Sequence, residues 1–333
     1  MFRLTFLGTS SGIPTRERNT SALAIECMAD IHAKRHGWLL VDCGEGTQHQ
    51  LLKSHLSITN LSAILITHTH GDHCYGLGGL LASLAMHKRT KPLTIIAPKA
   101  IAKLLDTLTI VSELYFNYPI EFISIEDYLA QNLTISFGDN HHIDIYIHTL
   151  SHRISSFGFE IIQYLQKDKL LVDKLNHEKI PTIYWNQILK SDEVMIDNKK
   201  ICANDYKVHL ENKLKIVIAG DNDTPDLLAQ AVQGAKALVH EATYTHDIMQ
   251  RIIHKPMEQG GFDPKHSSAK MVAEFAQKHH IPMLILTHFS ARYALFEDIA
   301  SNLPNMGHVR AEAGRYYEGE LVLAKDFLQV MIE

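Results

Sequence analysis

The chain has four cysteines in 333 residues, Cys27, Cys43, Cys74 and Cys202, and none of them forms a C-x-x-C pair. That excludes a dense disulfide framework, and a reduced, cytoplasmic setting is the simplest expectation. No apolar run approaches the roughly 18 residues that a membrane helix needs, so no membrane association is expected. The first eight residues are short and alternating, and they read as a strand and not as a secretory leader. A large excess of one charge is also missing. With 32 basic and 37 acidic side chains the formal net charge is −5, which argues against a simple polycationic nucleic-acid binder but leaves room for a local basic patch. Internal repeats and low-complexity tracts are absent, which excludes a repeat array.

What is present is apolar residues, 46% of the chain, and histidine, 22 of them. The apolar content supports a sizeable core. Short β-rich runs at 4–7, 22–26, 38–41, 63–66, 94–97 and 145–148 predict strands, and 215–219, 237–240 and 283–287 repeat the habit. Apolar residues recurring at three and four predict helices over 46–54, 76–87, 98–108, 225–233 and 267–279. The mixture predicts an α/β protein with helices covering sheet faces. From about 162 to 207 the rhythm breaks. Residues 161–200 hold seven Lys and six Asp or Glu, between strand-like neighbours, which suggests an insertion projecting from the core. An ordinary surface helix with flanking loops is the plainer alternative.

Ile64-Leu65-Ile66-Thr67 is an apolar run that stops at His68, and His68-Thr69-His70-Gly71-Asp72-His73 then crowds three imidazoles and a carboxylate into one turn. Such a cluster is poor for folding unless a divalent metal takes the lone pairs. His68 and His70 are two apart and can face one metal. Asp72 and His73 lie beyond Gly71, which should let the chain double back, and can face a second. Further ligands are available just past apolar runs, at His152, Asp221 and His288. Each alone is weak, since polar residues are common at strand ends. Together they would converge on one sheet edge.

The motifs extend through most of the chain: 6–15 (Phe-Leu-Gly-Thr-Ser-Ser-Gly-Ile-Pro-Thr) with Arg18 to Ser21, 42–48 (Asp-Cys-Gly-Glu-Gly-Thr-Gln), Ser151-His152-Arg153 with Phe157-Gly158, His240-Glu241-Ala242-Thr243, His266-Ser267-Ser268, and Thr287-His288-Phe289-Ser290 with Arg292-Tyr293. In these blocks the chain resembles the ribonuclease Z family of tRNA 3′-processing endonucleases, within the metallo-β-lactamase superfamily. The resemblance implies a four-layer αββα sandwich over 1–333 with zinc at one sheet edge, and an inserted flexible arm at about 162–207 that grips tRNA. It implies two zinc ions per subunit. His68, His70 and His152 would hold one, Asp72, His73 and His288 the other, and Asp221 would bridge them. It further implies attack of metal hydroxide on a phosphodiester of precursor tRNA, leaving a 3′-hydroxyl on the tRNA, by a protein that is typically a homodimer. Asp72 would accept the water's proton. His266, held by Glu241, would protonate the leaving oxygen.

Three lesser assignments accompany these. Asp42 would orient a ligand histidine or merely turn the chain before Gly44. His240 would support the site or merely pack. Arg292 would bind phosphate or lie on the surface. His32, His36, His49, His55, His87, His141, His142, His279 and His280 have no convergent context. Three positions depart from the family pattern: Ile180-Pro181-Thr182 stands in the arm where Gly-Pro is usual, Asn222 follows Asp221 where Thr is common, and Gly78 replaces a Pro. The competing functions are a zinc phosphodiesterase for small diesters, a thioesterase- or lactamase-type hydrolase of the same fold, and a non-catalytic RNA-binding scaffold.

Overall fold

The computed structural model describes residues 1–29, 37–137, 141–196, 199–255 and 262–333; His32 and His36 lie outside the described residues. The short apolar runs form two seven-stranded sheets. The first has the order Gln329–Ile332, Phe2–Gly8, Ala22–Cys27, Gly37–Val41, Leu61–Leu65, Leu93–Ala97, Ile120–Ser124. It is antiparallel as far as Gly37–Val41 and parallel from there on. The second runs Glu320–Leu323, Met283–Thr287, Ala237–Glu241, Lys207–Ile218, Ser156–Leu170, His141–Leu150, Leu133–Ser136.

Central strands are buried on both faces, as in Ala22–Cys27, where all six residues are inaccessible. That is why Ala22–Cys27 is apolar but for Glu26, whose buried carboxylate pairs with Arg3. Alternate residues then face opposite layers. Leu7, Ala24, Leu40, Ile64 and Ile95 pack on helix Leu77–Met86, whose Leu77, Leu80, Leu81 and Leu84 recur at helical spacing. On the second sheet Val217, Leu238 and Leu284 pack on helix Ala269–Lys278 through Val272, Phe275 and Ala276. Each such leucine contributes roughly 1.5–3 kcal/mol of burial. The inner faces meet around Phe6, Leu23 and Val41 of one sheet and Ile218 and Val239 of the other. The layers are therefore helix, sheet, sheet, helix.

One expected helix does not form. Residues 225–233 make a short 3₁₀ turn, Pro225–Leu228, followed by irregular turns that end at Gly234 (φ +73°). Leu228, Ala231, Val232 and Ala235 are buried, so the apolar spacing was real burial. The chain must instead reverse within a few residues to enter Ala237–Glu241, and the left-handed glycine completes that reversal. Helices His246–Ile253 and Met306–Ala313 and the edge strand Gln329–Ile332 were not anticipated.

Contacts divide the chain into two compact units. One comprises 1–135, 144–162 and 214–333; the other comprises 136–143 and 163–213. The smaller has its own core, in which Leu175 and Ile188 are fully buried with Val194, Ile196, Ala203 and Tyr206. It carries helices Val172–His177 and Trp185–Lys190 and an antiparallel pair, Glu193–Ile196 with Lys199–Cys202. Strands Ser156–Leu170 and Lys207–Ile218 run from one unit into the other, and 136–143 is a part that the sequence did not single out.

Candidate metal centre

Strand ends on the larger unit deliver every metal-ligand candidate to one place. Leu61–Leu65 is followed by His68 and His70, Gly37–Val41 by Asp42 and His141–Leu150 by His152, and Lys207–Ile218 and Met283–Thr287 end before Asp221 and His288. Asp42 (φ +60°) and His288 (φ +57°) both sit in left-handed backbone, where the chain turns sharply off its strand. Such conformations cost of order 1–3 kcal/mol for a non-glycine residue and persist where the surroundings over-determine them. Gly71 behaves differently from expectation. It is not left-handed but opens the one-turn helix Gly71–Cys74, and a Cβ there would fall 2.2 Å from the Tyr75 ring.

Two groups of ligand atoms result. In the first, His70 Nδ1 lies 3.1 Å from His68 Nε2 and 3.2 Å from His152 Nε2, and both Nε2 atoms lie 3.7 Å from Asp221 Oδ2. In the second, His73 Nε2 and His288 Nε2 are 3.2 Å apart and lie 3.5 and 3.4 Å from Asp72 Oδ2. The same two nitrogens lie 3.6 and 3.4 Å from Asp221 Oδ1. Asp221 therefore shows one carboxylate oxygen to each group. A third group joins Asp221 and His288 to Glu241 and His266.

The other imidazole nitrogens are committed elsewhere. His73 Nδ1 donates to Asp42 Oδ2 at 2.7 Å and His152 Nδ1 to the Lys265 carbonyl at 2.7 Å. His68 Nδ1 meets Thr67 Oγ1 at 2.9 Å and His288 Nδ1 meets Thr243 Oγ1 at 3.0 Å. With protons at Nδ1, the Nε2 lone pairs of these rings point at one another across about 3 Å, and a proton on His70 Nδ1 would relieve only one such contact. A divalent cation in each group removes the conflict. Five imidazoles and two carboxylates suit a borderline-soft ion better than magnesium.

Electrostatics divide the candidate ligands: burial opposes charge on His73, but Asp42 and Asp221 outweigh it and raise its pKa well above the ordinary histidine value. Burial, reinforced by the neighbouring imidazoles, pushes His68 well below the ordinary histidine value, so it is neutral. Burial opposes ionisation of Asp72, but His288 and His73 outweigh it and hold the carboxyl well below its usual range. Its Oδ2 also accepts the Gly12 N–H at 2.6 Å. His266 Nδ1 lies 2.8 Å from Glu241 Oε2. Burial works against charge on both, yet the pair prevails: Glu241 is held below the carboxylate range and His266 raised above the histidine range.

Asp42 touches the site directly, through His73 and the Thr67 N–H and hydroxyl. His240 does not face the two metal groups. It is fully buried, burial lowers its pKa, and its hydrogen bonds go to the Glu241 carbonyl and to Asn222. Arg292 is exposed at the rim, stacked 5.0 Å from the Tyr244 ring. Several contributors were missed by sequence reasoning. Asn222 is buried, gives its N–H to Glu241, and its Oδ1 accepts from Ser151 N–H beside His152. A cavity of about 220 Å³ over the ligands is also lined by Gly12, Arg153, Tyr244 and half-exposed Phe262. Nothing in the residue types of Asn222 or Phe262 marks them; Gly12 and Arg153 stood inside the motifs singled out, with no role given to them, and Tyr244 next to one.

Comparison with known proteins follows the same lines. A family model described as Anti-Pycsar protein Apyc1 matches residues 2–161. The chain is 40% identical over 331 residues to a ribonuclease Z of Marinobacter nauticus, covering 97% of this chain and 94% of that protein. Among solved structures it is similar to the short form of human tRNase Z, with a TM-score of 0.60 and 25% identity over 99% of both chains. The metallo-β-lactamase fold protein YhfI of Bacillus subtilis shares the fold, with a TM-score of 0.63 at 17% identity over 99% of this chain and 98% of that one.

Proposed function

The chain belongs to the ribonuclease Z family and is a hydrolytic endoribonuclease of tRNA 3′ processing, and we propose that the cluster around Asp221 is where it cuts. One observation carries this reading: Asp221 turns one oxygen to each of two histidine-rich groups, while His266, paired with buried Glu241, lines the cavity over them. The family and the buried His/Asp groups together make this a metal-using enzyme. The ions would be zinc, two per subunit; His68, His70 and His152 would hold one and Asp72, His73 and His288 the other, with Asp221 offering an oxygen to each group. Zinc bound there supplies Lewis acidity, lowering the pKa of a water towards about 7 and neutralising charge on a phosphate oxygen.

The chain's own residues do the rest. Asp72, an anion fixed by the Gly12 N–H, takes the proton of the attacking water. His266 carries a proton because Glu241 holds it charged, and it gives that proton to the ribose 3′-oxygen as the P–O3′ bond breaks. The products are a 3′-hydroxyl on the tRNA and a 5′-phosphate on the trailer. Arg292, rigidified on Tyr244, pairs with a backbone phosphate.

The smaller unit, 136–143 and 163–213, serves as the arm that grips precursor tRNA, in a homodimer acting in the cytoplasm. The arm is supported by its separate core and the homodimer by the family. Four free cysteines, three of them buried, support the compartment, and no helix among the described residues is long and apolar enough to cross a membrane. The test is incubation of precursor tRNA with wild type and His266→Ala. The expected cut leaves a 3′-hydroxyl beside the discriminator base and slows by about 10²–10⁴-fold in the variant, with zinc content unchanged. Deleting 165–205 should abolish tRNA cleavage and spare a small chromogenic diester; loss of neither activity would remove the arm from the reading.

A further inference from the structure

Two buried carboxylates in the centre are wired alike. Asp42 accepts a backbone N–H, from Thr67 at 2.8 Å, and the Thr67 hydroxyl, and it holds His73 by Nδ1. Glu241 accepts a backbone N–H, from Asn222 at 2.7 Å, and the Thr243 hydroxyl, and its Oε2 lies 2.8 Å from His266 Nδ1. In each case the threonine oxygen also meets Nδ1 of a histidine assigned to metal binding, His68 at 2.9 Å and His288 at 3.0 Å.

A hydroxyl has one proton to give and can accept as well. The other partners of Thr67 Oγ1 are the two Asp42 oxygens. Those of Thr243 Oγ1 are Glu241 Oε2 and the His288 carbonyl. All of these only accept, so the hydroxyl proton goes to one of them. The threonine oxygen is then left to accept from the imidazole, which must carry its proton at Nδ1. Nε2 keeps its lone pair and faces the metal group.

We propose that Thr67 and Thr243 are positioning residues that select the metal-binding tautomer of His68 and His288. Each passes the constraint of a buried carboxylate to an imidazole that the carboxylate does not itself hydrogen-bond, Glu241 Oε2 lying 4.0 Å from His288 Nδ1. The inference rests on the metal reading above and extends it to residues outside the ligand set.

The experiment titrates zinc against a chromogenic chelator in wild type, Thr67→Val, Thr67→Ser, Thr243→Val and Thr243→Ser. Valine keeps the shape and removes the hydroxyl; serine keeps the hydroxyl. Each valine variant should bind one of its two zinc ions about 10–100-fold more weakly, the usual effect of losing a group that orients a ligand, while both serine variants stay close to wild type. Valine variants with wild-type affinity for both ions, or serine variants as weak as valine, would overturn the proposal. If valine prevents folding, long-range ¹H–¹⁵N spectra of the zinc-loaded wild type decide. Protons on Nδ1 of His68 and His288 support the proposal, and metal on Nδ1 overturns it. A wild type that binds no zinc would instead remove the metal reading itself, and this inference with it.

Discussion

The Asp42 corner and the Glu241 corner share one pattern of contacts and put it to different ends. Around Asp42, both imidazoles point into the metal groups: His73 directly, and His68 by way of Thr67. Around Glu241, one imidazole does so, His288 by way of Thr243, while the other, His266, faces the cavity. The difference lies in what the far nitrogen meets. His73 has a side chain 3% exposed and packs its Nε2 against His288, Asp72 and Asp221, whereas the His266 side chain is 14% exposed at the cavity wall. On the proposed reading a carboxylate–imidazole pair would serve as a metal mount in one corner and a proton donor in the other, with almost the same chemistry behind it.

The largest effect should come from the residue that both corners face. Asp221→Ala removes an oxygen from each group at once, and tRNA cleavage should fall by more than about 10³-fold. Elemental analysis should find both ions depleted; retention of two full equivalents would break the assignment of Asp221 as the shared ligand. Next, the carboxylates can be neutralised separately. Glu241→Gln should lower kcat by about 10²-fold with zinc retained. Asp42→Asn should instead weaken zinc binding by about 10–100-fold, with kcat restored at excess zinc. If the two variants fail in the same way, the corners are not functionally distinct.

pH profiles sharpen the same contrast. Glu241 raises the pKa of His266 above the ordinary histidine value, so the protonated donor should persist through neutral pH and be lost only as pH climbs through that raised value. Glu241→Gln removes the stabilising charge and should draw the alkaline limb of the rate profile towards neutrality; an unmoved limb would mean that His266 is not the proton donor. The smallest effect belongs to His240, whose hydrogen bonds among the described residues go to Asn222 and a carbonyl. His240→Gln should leave rate and zinc content nearly unchanged, and chemical denaturation should show a loss of about 1–3 kcal/mol from the disturbed buried contact.

Strands and covering helices were legible because burial leaves a period in the sequence, as in Leu77, Leu80, Leu81 and Leu84. The 225–233 segment shows the limit of that signal, since a buried turn and a buried helix can share apolar spacing. Gly71 shows another: a glycine beside ligands need not be left-handed, and here it fits a helical turn against Tyr75. Thr67, Thr243 and Asn222 could not be recognised from the sequence alone. A hydroxyl or amide states no partner until the fold supplies one, and Asn222 even appeared as a peripheral departure.

By itself the sequence determined which residue types reach the sheet edge. Seven histidine and aspartate side chains follow the ends of apolar runs. Only the tertiary structure decided which atoms of those side chains face one another. That Asp221 divides its oxygens between two groups, and that threonines tie two imidazoles to two buried carboxylates, depends on contacts between residues far apart in the chain, such as the 3.7 Å between His68 and Asp221. No local pattern encodes such distances, because the packing of both sheets sets them.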